Sequence, residues 1–539
     1  MRNSILYLLV IINLALYGEN DTTSKAYTTD FNTFLRLLEE THPDPYSAFG
    51  GKVEFRLAAQ KTRDNIKCLR NKEQFQNELA NFIARLGDGH TFISSDEKEP
   101  EYFQPEKYLP LSFKVATDGL FIQSASKEYT KYIGHKLLAI NGISIDSLMQ
   151  KVIKIEPAEN QYGAMYSLCK NISNQKYAEL FLGRISNLRL TLLDMNGVIY
   201  NLYINYVEKP AWSVVNSLIK LNKDNNLLYS QILDKGVKAG YLAWNGVISR
   251  EVIEGMEPTD PQYKKMINWV FNIIGCEKPT DNTKAIQRIP ELYGVFTDLL
   301  KKMKKQQIEY LVIDLRYNSG GMTPLCFPLL YMLYGDKYLD YSDKTQYKEL
   351  LSPLLLKKWN LKTIEDYNKI NGTDYVLGDF ILGSIFGSSK TGTIEEKRKD
   401  LSCITFHGGI GKQYTAELNG RPIYQPHIIV LCSPKTFSAA YHFLYYLTQI
   451  GKATVIGVQS SQAGNSFMET TPFEFPNTKI KGSISNAVQI MFPNDPEKGK
   501  VFMPDFAMKW EDYSKYNFDE NSELLYCLDL IKQNKIKAH

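Results

Sequence analysis

The run Tyr310-Leu311-Val312-Ile313-Asp314-Leu315 passes without a break into Arg316-Tyr317-Asn318-Ser319-Gly320-Gly321. Its first part is almost continuously apolar and rich in branched side chains, which reads as a strand buried on both faces, the mark of a sheet covered by helices. The paired glycines let backbone N–H groups approach a ligand closely, or simply make a tight turn. No G-x-x-x-x-G-K follows the strand, which argues against a nucleotide P-loop. Upstream, the Lys-rich stretch Tyr293 to Lys305 predicts a helix leading into this strand, and Lys238 to Trp244, Ile428 to Leu431 and Ala453 to Gly457 repeat the strand character. Strands alternating with helices predict an α/β domain over residues 208–534. The stretch 337–426, rich in Lys, Tyr and Gly, breaks that alternation and reads as an insertion with its own short elements, part of a substrate channel or cap.

N-terminal to this domain the periodicity changes twice. Over residues 102–207 short apolar runs alternate with turn residues, as in Asp118-Gly119 before Leu120-Phe121-Ile122, and predict a β-rich module. Over residues 25–101 apolar residues recur at helical spacing, through Phe31, Phe34, Leu35 and Leu38 and again through Phe75, Leu79, Phe82, Ile83 and Leu86. His42-Pro43-Asp44-Pro45 ends the first helix of that domain. Residues 1–18 have the grammar of a signal peptide: Arg2, an apolar run from Ile5 to Tyr17, and Gly18 at the cleavage point. The expectation is an extracytoplasmic protein, periplasmic or secreted, with no stable membrane insertion after cleavage. Retention of the segment as an anchor is the alternative.

Bulk properties narrow the class. The chain has 539 residues, enough for several domains, with 44% hydrophobic and 23% charged residues, as in an ordinary globular protein. A formal net charge of +4 with scattered basic residues gives no footprint for nucleic acid, and none is expected as a partner. The seven cysteines are widely spaced, and the chain has neither a C-x-x-C pair nor an H-E-x-x-H helix, so no metal and no cofactor is expected. Cys326 and Cys432 read as small core residues. The sequence carries no mark of an oligomeric state.

Three motifs hold groups that could do chemistry. Gly87-Asp88-Gly89-His90-Thr91 follows a helix and presents His90 in a turn; alone it would be an ordinary surface histidine. The Gly320-Gly321 loop could supply an oxyanion donor. Thr436-Phe437-Ser438-Ala439-Ala440 lies between a strand and an apolar helix, where a serine is by default an N-cap. The same position also exposes the hydroxyl at a helix N-terminus, beside the Ala439 N–H. His442 lies four residues after Ser438 on the same helix, one turn along and directed away from the hydroxyl, and is expected to pack beside Tyr446 or the sheet.

Taken in order, D-G-H-T, D-L-R-x-N-x-G-G, T-x-S-A-A and Val455-Ile456-Gly457 resemble the tail-specific (C-terminal processing) serine protease superfamily. Gly134-His135-Lys136-Leu137-Leu138-Ala139-Ile140-Asn141-Gly142 resembles its PDZ-like signature, and Met503-Pro504-Asp505 with the helix Ser522 to Gln533 resembles its closing elements. The resemblance implies a crotonase/ClpP-like α/β peptidase core with an N-terminal helical domain and a PDZ-like domain that takes an extended peptide or protein segment as an added strand. It implies a serine endopeptidase with Ser438 as nucleophile, Ala439 with Gly320 or Gly321 as oxyanion hole, and no cofactor. Where the Ser-Lys branch has its lysine this chain has Gln462-Ala463-Gly464-Asn465, whereas His90 matches the base of the tricorn-like Ser-His branch. For the acid that orients the base, Glu497 is the nearest match, with Asp88 and Glu469 as alternatives. Gly89 replaces a serine of the tricorn pattern, and Tyr441 replaces an acidic residue often found after S-A-A. Two rival readings stay open: a catalytically silent peptide- or lipid-binding homologue, and a hydrolase of non-peptide esters.

Overall fold

A computed structural model describes residues 23–94, 106–213, 217–223, 225–341, 344–383, 392–403 and 416–538. The expected signal segment lies outside them. The α/β core is built on a six-stranded sheet in the order Phe506–Ala507, Thr454–Gly457, His427–Cys432, Tyr310–Asp314, Lys238–Trp244, Leu228–Asp234. All neighbours are parallel except the last pair.

Period-two alternation explains why these strands are apolar throughout. Leu311, Ile313, Ile428, Val430, Leu242 and Val455 face one core, with the helices Leu292–Gln306, Cys326–Tyr334 and Ala439–Gly451. Val312, Ile429, Leu431, Tyr241 and Ile456 face the other, which is continuous with the interior of the β-rich module. That module has the strand order Leu111–Ala116, Gly119–Ala125, Lys136–Ile140, Leu188–Leu193, Ile199–Ile204, with Ile143–Ser144 pairing Lys136–Ile140.

The module is less purely β than its sequence pattern suggests. It also holds the helices Ile145–Val152, Gln161–Ile172 and Gln175–Leu182. Ser144 caps the first by accepting from Ser147 N–H, and asparagines cap the other two: the Asn160 side chain accepts from the N–H groups of Tyr162 and Gly163, and Asn174 accepts from Lys176.

The N-terminal domain consists of helical residues 23–41 with the helices Lys52–Ile66 and Lys72–Ala84. Its aromatic core closes over Phe473, Phe475, Ile480 and Ile484 of the α/β domain. Phe473 and Ile484 lie in, and Phe475 and Ile480 in the turn of, a third sheet in which Phe92–Ile93, Lys481–Ile490, Gln346–Leu350 and Phe380–Gly383 lie side by side and Asn465–Glu474 pairs Lys481–Ile490. Two strands from within residues 337–426 thus extend a sheet begun by the core. Residues 384–391 and 404–415 of that stretch lie outside the described residues. Among the described residues no helix is long and apolar enough to cross a membrane.

Candidate active site

The strands Tyr310–Asp314 and His427–Cys432 end side by side, and the loops that leave them are sewn together. Leu315 N–H donates to Leu431 O, Thr436 Oγ1 to Leu315 O at 2.8 Å, Ser433 Oγ to Arg316 O at 2.6 Å, and Phe437 N–H to Asn318 O. Beneath them Arg316 is buried between Asp314 and Glu523, each at 2.6 Å, and Lys114 of the β-rich module reaches Glu523 at 2.6 Å. The C-terminal ends of parallel strands are where such sheets place ligands.

Ser438 heads the helix Ala439–Gly451 with φ 53° and ψ −126°, a conformation rarely taken by any residue but glycine. Its hydroxyl makes no capping hydrogen bond, so the ordinary reason for a serine at this position is absent. The Ser438 N–H donates to the Oε1 of Gln462, a fully buried side chain at the position where the Ser-Lys pattern has a lysine.

The glycine loop is pressed against this turn. A methyl group on Gly320 would stand 2.6 Å from Ser438 Cβ, and one on Gly321 would stand 2.3 Å from Val247 O. Asn318 braces the loop: its Nδ2 donates to Trp244 O at 2.7 Å and its Oδ1 accepts the Gly320 N–H at 2.9 Å. That bond occupies the Gly320 donor. Gly321 is exposed, and the Ala439 N–H at the first helical position has no acceptor within the helix.

The His90 turn packs on the same segment. The imidazole stacks on Phe437, with centroids 5.0 Å apart. Burial pushes the imidazole below its ordinary value, while Asp88, Glu469 and the Phe467 backbone pull the other way. The ring is therefore neutral at neutral pH. Asp88 is buried under the turn and shapes it by accepting from His90 N–H at 2.8 Å, Thr91 Oγ1 at 2.5 Å and His42 Nε2 at 3.3 Å. Because Asp44 N–H donates to His42 Nδ1, the His42 proton sits on Nε2. Burial alone would raise the Asp88 carboxyl. The His42 bond, and the positive charge that His42 and His90 take on in acid, outweigh it and hold the group well below the usual carboxylate range.

A fourth acid, which sequence reasoning missed, stands against His90. Glu159 Oε1 lies 3.8 Å from His90 Nδ1, and its side chain is 5% exposed. It comes from the β-rich module, 70 residues from Gly89, and no local signal marks it beyond the neighbouring N-cap Asn160. Of the expected acids, Asp88 touches the turn backbone, and Glu469 acts on His90 through its charge while pairing with Lys358 at 3.8 Å. Glu497 is not brought to His90. Its side chain is 83% exposed and bonds Lys500, on the short helix Pro496–Lys500, whose last carbonyl lies 3.5 Å from Asn160 Nδ2.

His442 is buried beside Tyr446, with Nδ1 2.9 Å from Thr323 Oγ1. Burial, and after it the charge of His90, pushes it down to about 4. Asp88, His90 and Glu159 could each offer a metal one ligand atom, these atoms lying within 4.8 Å of one another. All four carboxylate oxygens already accept hydrogen bonds from protein N–H or O–H groups, so hydrogen bonding alone accounts for the cluster.

Residues 285–494, which hold the glycine loop, Ser438 and Gln462, match Peptidase family S41. Among solved structures the chain is similar to mature CPAF complexed with lactacystin, with 16% identity and a TM-score of 0.53 over 94% of this chain and 99% of that one. It is similar also to mature CPAF alone, with 15% identity and a TM-score of 0.53 over 96% and 99%. At such identities the likeness is one of fold. No curated protein matches the chain. The family match supports a serine-type peptidase.

Proposed function

We propose that this chain is an exported serine endopeptidase that cuts extended or C-terminal protein segments by acyl transfer, with Ser438 as nucleophile and His90 as base. The observation that carries the reading is Ser438 itself: a non-glycine residue strained at the head of a helix, its hydroxyl uncapped, with an oxyanion-type loop in contact with its Cβ. Strain of this kind costs about 1–3 kcal/mol and persists where it serves function.

In the proposed reaction Ser438 Oγ bonds to the scissile carbonyl carbon as its proton passes to His90. The carbonyl oxygen gathers negative charge between the Gly321 and Ala439 N–H groups. The C–N bond then breaks as His90 returns the proton to the leaving amine, and water releases the acyl group by the same steps in reverse. A peptide substrate is supported by Leu111–Ala116, an edge strand of the PDZ-like module. Part of it lines a cavity of about 210 Å³ together with Tyr317, Pro434 and Lys435, close to the nucleophile turn. Export rests on the apolar run Ile5 to Tyr17 behind Arg2.

The test is labelling with a fluorophosphonate probe followed by peptide mapping. Label on Ser438, lost in Ser438→Ala together with cleavage of an unstructured polypeptide, is the expected result. A protein that binds peptide but takes no label is the silent homologue, and one that turns over only esters is the non-peptide hydrolase.

A further inference from the structure

We infer that Glu159 is the positioning residue for His90 and that the β-rich module delivers it, so the base is set only while that module is seated on the core; this rests on the Ser438 and His90 reading above. Glu159 is clamped from two foreign segments. Its Oε1 accepts from Gly89 N–H at 3.3 Å, and its Oε2 accepts from Ala463 N–H at 2.8 Å and Ser466 Oγ at 2.7 Å. So held, it faces His90 Nδ1, a buried ring nitrogen with no hydrogen-bond partner of its own. The separation of 3.8 Å exceeds a hydrogen bond by less than about 1 Å, a gap that catalytic contacts close when substrate binds.

The role follows from which ring nitrogen holds the proton. An ionised Glu159 accepts Nδ1–H and leaves the Nε2 lone pair for the Ser438 proton. A protonated Glu159 would instead donate to Nδ1, putting the ring proton on Nε2 and disabling the base. Burial pushes the Glu159 carboxyl up to about 8, opposed by the Ser466 and Ala463 hydrogen bonds and reinforced by the charge of Asp88. The other titratable groups facing the pair are Glu469, His442 and Tyr441. Turnover should therefore rise with pH through about 8.

The module seats this acid by its neighbours. Asn160 Nδ2 donates to Ser460 O at 3.0 Å, and Gly163 packs against Ser461, which an added Cβ would meet at 3.4 Å, ordinary contact distance. Gln462, the acceptor of the Ser438 N–H, follows directly. One seam thus places both the nucleophile turn and the acid.

The experiment compares full-length wild type, Glu159→Gln and Ser466→Ala on an unstructured peptide, with fluorophosphonate labelling of Ser438 measured across pH. For Glu159→Gln we expect kcat to fall at least about tenfold with KM little changed, and the rise through pH 8 to vanish. Ser466→Ala keeps the carboxyl but removes a donor that favours its ionised form, so the rise should move to higher pH. This milder variant decides the matter if Glu159→Gln does not fold. A wild-type profile in both variants, or a uniform loss with no movement of the ionisation, overturns the inference. Full turnover by Ser438→Ala would instead sink the underlying mechanism, whereas loss in Ser438→Ala beside an unaltered Glu159→Gln sinks only the role of Glu159.

Discussion

The ring of His90 lies stacked on the ring of Phe437 at 29° between planes, and Phe437 is the residue immediately before Ser438. A turn of the N-terminal domain is thereby held against the Ser438 segment, 348 positions further along the chain if counted from residue 90 to residue 438.

This contact separates the two candidate bases. His90→Gln should lower kcat by at least about a hundredfold, the lower range for general acid-base catalysis. His442→Gln, whose ring is committed to Thr323 and held neutral by burial, should lose much less. Equal losses in two folded variants would remove the ground for choosing His90.

The backbone of Ser438 makes a stability prediction that runs against intuition about serine caps. Both Ser438→Ala and Ser438→Gly should abolish turnover. The glycine variant should be the more stable by about 1 kcal/mol or more, because glycine takes φ 53° and ψ −126° without steric penalty and no capping bond is lost in either. Thermal melts of the two variants check the order.

Gly320→Ala tests the oxyanion loop. Its new methyl group would meet Ser438 Cβ at 2.6 Å and Phe437 O at 2.8 Å, at φ 103°. Loop and nucleophile must separate, so fluorophosphonate labelling should fall sharply and the melting temperature should drop. Normal labelling by this variant would show that the loop does not frame the nucleophile.

Two buried carboxyls should shape the stability curve in opposite senses. Burial would raise Glu523, but Lys114 and Arg316 hold it down to about 2. Its folded value lies below its unfolded one, so its contribution is present above the ordinary carboxylate range and is lost as pH falls toward about 2. Glu159 lies above its unfolded value, so it weakens the fold as pH rises from the ordinary range to about 8. Denaturant titrations should show Glu523→Gln flattening the acid limb and Glu159→Gln removing the decline toward alkaline pH.

Much of this protein is written locally. The apolar run at 310–315 becomes the strand Tyr310–Asp314, because a sheet covered on both faces needs apolar residues at every position. The helical spacing around Phe75 and Phe82 becomes Lys72–Ala84, and the Gly320-Gly321 loop, Ser438 and the His90 turn were each legible as motifs. The insertion was visible as a break in pattern, but not as strands, since Gln346–Leu350 gains its order by pairing with Lys481–Ile490 more than a hundred residues away.

Which acid meets His90 was beyond the reach of motif spacing. Glu497 stands where a closing Pro-Asp points, yet its carboxylate faces solvent and bonds Lys500, while Glu159 carries no motif and arrives because a neighbouring module is seated on the core. The occupied Gly320 donor is a further decision of the fold, since it depends on how Asn318 turns in its loop. Sequence determines which residues can form a buried strand, a tight glycine loop or a helix head, because those depend on neighbours a few positions away. A pair such as His90 and Glu159, or an ion cluster such as Lys114, Glu523 and Arg316, is settled only when separate domains pack, because burial and partner together set the charge each group carries.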